Sequence, residues 1–205
     1  TCVCENVLDS EGNILYPHMI HTMKNGVKVG LVGIVTDYIN VWEKKENLVG
    51  IQVVDPFEAA KKALEDLQGK VDLTICIYHG GFESDLETGK RLSGTTENIG
   101  YKICTELGFD VLLTGHQHMP VAGRMVNGTY TLQPLANGRE YAYVEIDLEK
   151  EAFSSGNATY PATITSINSK KVQPKPDNAK ALCEKYSFVE AKVQEWLDEP
   201  LGHLS

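Results

Sequence analysis

The sequence predicts an α/β fold built on a mixed sheet, and three observations carry the prediction. A strand, a capped helix and a second apolar strand follow one another between Val27 and Tyr78, the order of a βαβ unit whose strands lie parallel. Another helix and another apolar strand follow between Glu97 and Leu113. From Val121 the pattern changes to short strands around an Asn127-Gly128 turn, the chemistry of an antiparallel hairpin.

Taken in order, residues 1–9 read as a short strand ended by the turn Asp9-Ser10-Glu11-Gly12-Asn13. Tyr16–Met23 and Val27–Val35 read as two strands joined at Lys24-Asn25-Gly26. Thr36-Asp37-Tyr38 leaves the second strand, and Val41 to Lys45 is expected to be a loop. Asp55 suits a helix N-cap, Pro56 the first helical position, and Glu58 completes a capping box. That helix runs to about Gln68 with Phe57, Ala60, Ala63, Leu64 and Leu67 on one face, and Gly69 ends it. Val71–Tyr78 is the next strand, and the polar segment 84–96 a mobile loop. Glu97–Leu107 is expected to be a helix with Ile99, Ile103 and Leu107 aligned, and Phe109–Leu113 a buried strand.

After the hairpin of residues 123–133, Tyr141–Leu148 alternates apolar and polar, and Thr163–Asn168 is a further strand. Ser154–Asn157 reads as a surface turn between them. Val172–Pro176 is a spacer. Asp177 is expected to cap a closing helix, Ala179–Leu197, with Leu182, Tyr186, Val189, Val193 and Trp196 near helical spacing.

Composition narrows the function. The 205 residues, 42% apolar and 23% charged, suffice for one domain with a real core. A net charge of −9 argues against nonspecific binding to nucleic-acid polymers or acidic membranes, which needs a basic face. No apolar run reaches the roughly 18 residues of a membrane span, and the first residues lack the pattern of a signal peptide. Five cysteines without a Cys-x-x-Cys indicate neither a zinc knuckle nor a disulfide framework.

Two strand ends carry the chemistry. Val71–Tyr78 runs into His79-Gly80-Gly81-Phe82-Glu83, and Phe109–Leu113 into Thr114-Gly115-His116-Gln117-His118. Gly115 is expected to take the positive φ that turns the chain sharply there. Ligands collect at the carboxyl ends of strands in α/β sheets, and the alternation puts both histidine sites on one edge. A Gly-His-x-His by itself reads equally well as a polar turn; a second strand-end histidine favours a metal cluster. His18 and His21 fall on a strand with opposed side chains and read as structural. Arg124 and Arg139 could reach phosphate, but surface ion pairs are the favoured reading, and Asp110 reads as structural. No Ser/His/Asp or Cys/His nucleophile arrangement stands out.

These motifs support a family resemblance. His79-Gly-Gly-Phe-Glu83 and Gly115-His-Gln-His118 resemble the last two metal-ligand motifs of the calcineurin-like metallophosphoesterases. The stretch Asn25–Thr36 and the segment Glu97-Asn98-x-x-Tyr101 are similar to the branch containing 5'-nucleotidases, UDP-sugar hydrolases and 2',3'-cyclic-nucleotide 2'-phosphodiesterases. The resemblance covers Cys4 to Lys150 and, more loosely, the rest. It implies part of a four-layer α-β-β-α domain with mixed sheets, two divalent metal ions (Mn, Zn, Fe or Co), and a nucleotide or cyclic-nucleotide substrate. It implies that His79 and His116 bind one ion and His118 the other. Glu83 would orient a ligand histidine or stand as a solvated helix-start acid. Asn98 would contact substrate or, the favoured reading, cap the helix.

The departures from the family pattern are as informative. Its first three motifs, Asp-x-His, Gly-Asp and Gly-Asn-His-Asp/Glu, occur nowhere in the sequence. With them go the bridging carboxylate and the transition-state histidine. Residues 1–170 therefore resemble the second half of a catalytic domain, and 171–205 a spacer and helix leading to a substrate-binding domain that is absent. The expectation is an enzyme segment inactive alone, with an apolar face to be covered by the missing half or by self-association. The alternative is a non-catalytic module that keeps the fold and binds metal weakly or not at all.

Overall fold

The computed structural model describes residues 1–149, 162–175, 179–200 and 202. The chain divides into two compact units, Thr1–Val172 and Gln173–Ser205.

The first unit is organised by a six-stranded mixed sheet. Its strands in chain order are β3 (Met19–Thr22), β4 (Lys28–Val35), β6 (Leu73–His79), β7 (Val111–Thr114), β8 (Val121–Val126) and β9 (Thr129–Gln133), lying in the order β3-β4-β6-β7-β9-β8. β4, β6, β7 and β9 run parallel, and both flanking strands run antiparallel to their neighbours. The βαβ unit is thus present, with Val32 opposite Cys76 and Val35 opposite His79. The Asn127-Gly128 turn joins β8 to β9 with φ of 48° and 89°, left-handed at both residues.

Helix α2 (Pro56–Leu67) is set by its cap: Asp55 Oδ1 accepts from the backbone N–H groups of Phe57 (2.8 Å) and Glu58 (3.0 Å). Helix α3 (Gly100–Glu106) lies on the same side of the sheet, and the core forms there. Val32, Ile34, Cys76, Tyr78 and Leu112 pack with Ala60, Ala63, Leu67, Ile103 and Phe109, all buried. Each such large aliphatic side chain contributes about 1.5–3 kcal/mol. Cys76 and Cys104 pack here as free thiols, and burial pushes both above the usual thiol range, Cys104 to about 12. On the opposite face Val111, Tyr130 and Leu132 are also buried, while Ile77, central on β6, remains 44% exposed.

A three-stranded sheet in the order β2-β1-β5 is formed by β1 (Cys4–Asp9), β2 (Ile14–Tyr16) and β5 (Ile51–Val53). The expected continuous strand Tyr16–Met23 is therefore split. Pro17, which has no N–H to donate, separates a strand paired to β1 from one paired to β4. β1 lies close over β4: a Cβ on Gly33 would stand 2.0 Å from the Val3 carbonyl oxygen. β10 (Tyr141–Glu149) and β11 (Thr163–Val172) form an antiparallel pair, the latter four residues longer than expected. The Ser154–Asn157 turn and Asp177 lie outside the described residues.

Two boundaries near the site also differ. The segment after Tyr38 is not all loop: Ile39–Trp42 forms a one-turn helix, α1. α3 begins three residues later than expected because the backbone before it is held elsewhere. The Glu97 carbonyl accepts from Thr36 Oγ1 (2.8 Å) and Tyr78 Oη (3.1 Å). The second unit contains α4 (Lys180–Leu197), whose Leu182, Tyr186, Val189, Val193 and Trp196 are all exposed.

Candidate metal centre

Parallel strands β4, β6 and β7 end side by side, so three loops meet at one sheet edge. Backbone hydrogen bonds tie them together. Thr36 N–H donates to the His79 carbonyl (3.1 Å), Gly115 N–H to Gly80 (3.1 Å), and Gly100 N–H to Gly81 (2.8 Å). Gln117 adds a side-chain version of a strand pair: its Oε1 accepts from Phe82 N–H (2.7 Å) and its Nε2 donates to the Phe82 carbonyl (2.9 Å). The two histidine loops are therefore one rigid frame.

On that frame His79 and His116 stand together, ring centroids 5.4 Å apart and tilted by 58°. Partial desolvation, then the neighbouring His116 and His118, hold the His79 imidazolium below the usual histidine range. Neutral imidazole, the form that donates a lone pair to a metal, is favoured accordingly. Trp42 on α1 stacks on His116 at 5.1 Å and 30°, with Tyr38 edge-on to Trp42 at 5.9 Å. Glu97 Oε1 lies 2.8 Å from His116 Nε2. His118 is exposed.

The tight bend is made differently from the expectation. Gly115 does not take a positive φ; His116 (68°) and His118 (57°) do. A left-handed conformation at a residue other than glycine costs about 1–3 kcal/mol, though histidine tolerates it better than most. Gly115→Ala should therefore be tolerated, within about 0.5 kcal/mol, since the nearest atom to its new Cβ is His79 Nδ1 at 4.0 Å. Gly81→Ala should cost about 1–3 kcal/mol, because its Cβ would fall 2.0 Å from Gln117 Oε1 and break the Phe82 pairing. Urea unfolding of the two variants checks the contrast.

The two carboxylate and amide candidates serve the frame. Glu83 does not act as a solvated acid: it is buried, and its carboxylate accepts from the N–H groups of Tyr101 (3.0 Å) and Lys102 (2.8 Å), capping α3 from a distant loop. Asn98 does not cap the helix. Its Oδ1 accepts from Gly81 N–H (2.7 Å), pinning the loop after His79. Segment 84–96 folds back on itself, with Ser84 bridged to Arg91 and Asp85 N–H donating to Lys90 (2.9 Å).

Elsewhere, His18 pairs with buried Glu5 (2.9 Å). Arg124 pairs with Glu87 (3.3 Å), Arg139 bonds the Ala136 carbonyl (3.3 Å), and Asp110 holds Thr74 (2.7 Å). A cleft of about 920 Å³ is bordered by Phe82, Leu86, Gln117, Met119 and Val121; none of the three histidines lines it.

Donor type and placement fit one side of a divalent metal site: two imidazoles on a fixed frame. Among the described residues, however, no group of three His, Cys, Asp or Glu could by itself hold an ion. Reading along the sequence identified the histidines but missed Glu97, Trp42 and Gln117. Glu97 could have been flagged from its place beside Asn98; Trp42 and Gln117 gave no local signal.

No protein-family model matches the chain. It is 29% identical over 157 residues to the trifunctional nucleotide phosphoesterase protein YfkN of Bacillus subtilis (strain 168), a match spanning 69% of this chain and 10% of that protein. It is 32% identical over 100 residues to the 5'-nucleotidase of Vibrio cholerae serotype O1, covering 48% of this chain and 18% of that protein. The chain thus spans only a small part of the curated relatives it matches. The crystal structure of the calcineurin-like phosphoesterase YfkN from Bacillus subtilis superposes with a TM-score of 0.71 over 96% of this chain and 64% of that one, at 22% identity. By sequence and by fold, the relatives of this chain are calcineurin-like phosphoesterases and 5'-nucleotidases.

Proposed function

We propose that the chain contributes one side of a two-metal site that hydrolyses nucleotide phosphate esters, of the 2',3'-cyclic-nucleotide 2'-phosphodiesterase or 5'-nucleotidase type. The observation that carries this reading is the side-by-side placement of His79 and His116 on strand ends locked by Gln117 and Asn98. A pair of divalent ions about 3.5–4 Å apart would supply charge neutralisation at phosphorus and a water of lowered pKa. His79 and His116 would hold one ion and His118 the other. The remaining donors must come from a carboxylate-bearing segment outside these motifs. Ile77, central on β6 and 44% exposed, is a point on the sheet at which such a segment, or a second copy of the chain, could pack.

A second reading is a non-catalytic module that binds metal weakly or not at all, since among the described residues no group of three His, Cys, Asp or Glu is placed to hold an ion. Manganese-dependent hydrolysis of a generic phosphodiester, with bound metal quantified on the same sample, separates the two. The expected result is saturable Mn²⁺ binding that His116→Ala weakens, and no turnover by the chain alone; binding that His116→Ala leaves unchanged would favour the non-catalytic module. Failure to bind Mn²⁺ even at millimolar concentration would favour the non-catalytic module. Turnover that disappears with His116→Ala would mean that a complete site already exists.

A further inference from the structure

We infer that Glu97, backed by Trp42, is the positioning residue for His116: it selects which ring nitrogen is free to bind metal. This rests on the metal-site reading above, but the contact that carries it belongs to the protein alone.

A carboxylate can only accept a hydrogen bond, so the imidazole nitrogen facing it carries the proton. Glu97 Oε1 lies 2.8 Å from Nε2 of His116, which leaves the lone pair on Nδ1. Glu97 is itself fixed, because its carbonyl is held by Thr36 and Tyr78 at the ends of β4 and β6. Trp42 covers one face of the ring, which limits rotation out of the Glu97 contact. The pair is partly enclosed, with side-chain exposures of 30% for Glu97 and 20% for His116, so solvent screens it less than a surface pair. Glu97 thus takes the part that the sequence suggested for Glu83, whose oxygens are committed to α3.

Long-range ¹H–¹⁵N correlation of the histidine rings tests the contact without metal, with His18, paired to Glu5, as internal reference. At a pH where the rings are neutral, His116 should show one tautomer, protonated at Nε2. Glu97→Ala should let it average between two, leaving His18 unchanged. In equilibrium dialysis the same variant should weaken Mn²⁺ binding about 10–100-fold, and Glu97→Gln, which keeps an acceptor oxygen, should recover most of the loss. If Glu97→Ala does not fold, Glu97→Asp, whose carboxylate is one methylene shorter, is read the same way. An unchanged tautomer together with unchanged affinity overturns the inference. So does loss of a whole metal equivalent, which would make Glu97 a ligand. A wild-type chain that binds no Mn²⁺ would sink the metal-site reading, while the ring nitrogens would still decide this one.

Discussion

Asn6→Ala is expected to lower the unfolding free energy by about 3 kcal/mol or more, enough to threaten the fold of a protein of ordinary marginal stability. Asn6 is completely buried. Its Oδ1 accepts from Val35 N–H (2.9 Å), and its Nδ2 donates to the carbonyls of Val35 (2.8 Å) and Val54 (3.0 Å). One amide therefore joins the end of β4 to the chain leaving β5. Truncation orphans three backbone groups, and an unpaired buried polar group costs about 1–3 kcal/mol. Asn6→Asp should be no better, since it exchanges a donor for a negative charge facing two carbonyls. The damage should spread to the site, because Thr36, next after Val35, donates to the His79 carbonyl. Urea unfolding gives the stability change; a loss below about 1 kcal/mol would show that water or a shifted β1 replaces the amide.

The second large effect is on metal. His116→Ala should weaken Mn²⁺ binding by at least about 100-fold, beyond what loss of an outer partner causes. It removes a donor, the ring beside His79, and the group on which Glu97 and Trp42 converge. His79→Ala should match it. His118→Ala should cost less at the first equivalent bound, because its exposed side chain is expected on the other ion. Equal losses at all three positions would mean that one ion is shared by all the histidines.

Local pattern reached far in this protein. The Asp55 cap, the apolar faces of β4, β6 and β7, and the Asn127-Gly128 turn each depend on neighbours in sequence, and the structure has them as the sequence predicts. Because parallel strands joined by helices end on the same edge, the sequence implies the adjacency of His79 and His116. The missing first motifs were also legible, since a residue type is either present or not.

Tertiary structure decided what depends on partners distant along the chain. Asn98 and Glu83 carry side chains suited to several tasks, and only the fold assigns one to Gly81 and the other to the N-terminus of α3. Gln117 has no assigned part in the sequence pattern, and only the fold brings it within hydrogen-bonding reach of Phe82 in the loop after β6. Gly115 was the residue expected to turn the chain. Yet the bonds from Gly115 to Gly80 and from Gln117 to Phe82 fix both ends of the bend, so the left-handed turns fall on the histidines. The sequence by itself determined that His79 and His116 stand on one edge of the sheet. The packing of three loops decided which nitrogen of His116 faces Glu97, because a hydrogen bond between residues 19 apart leaves no periodic trace in the chain.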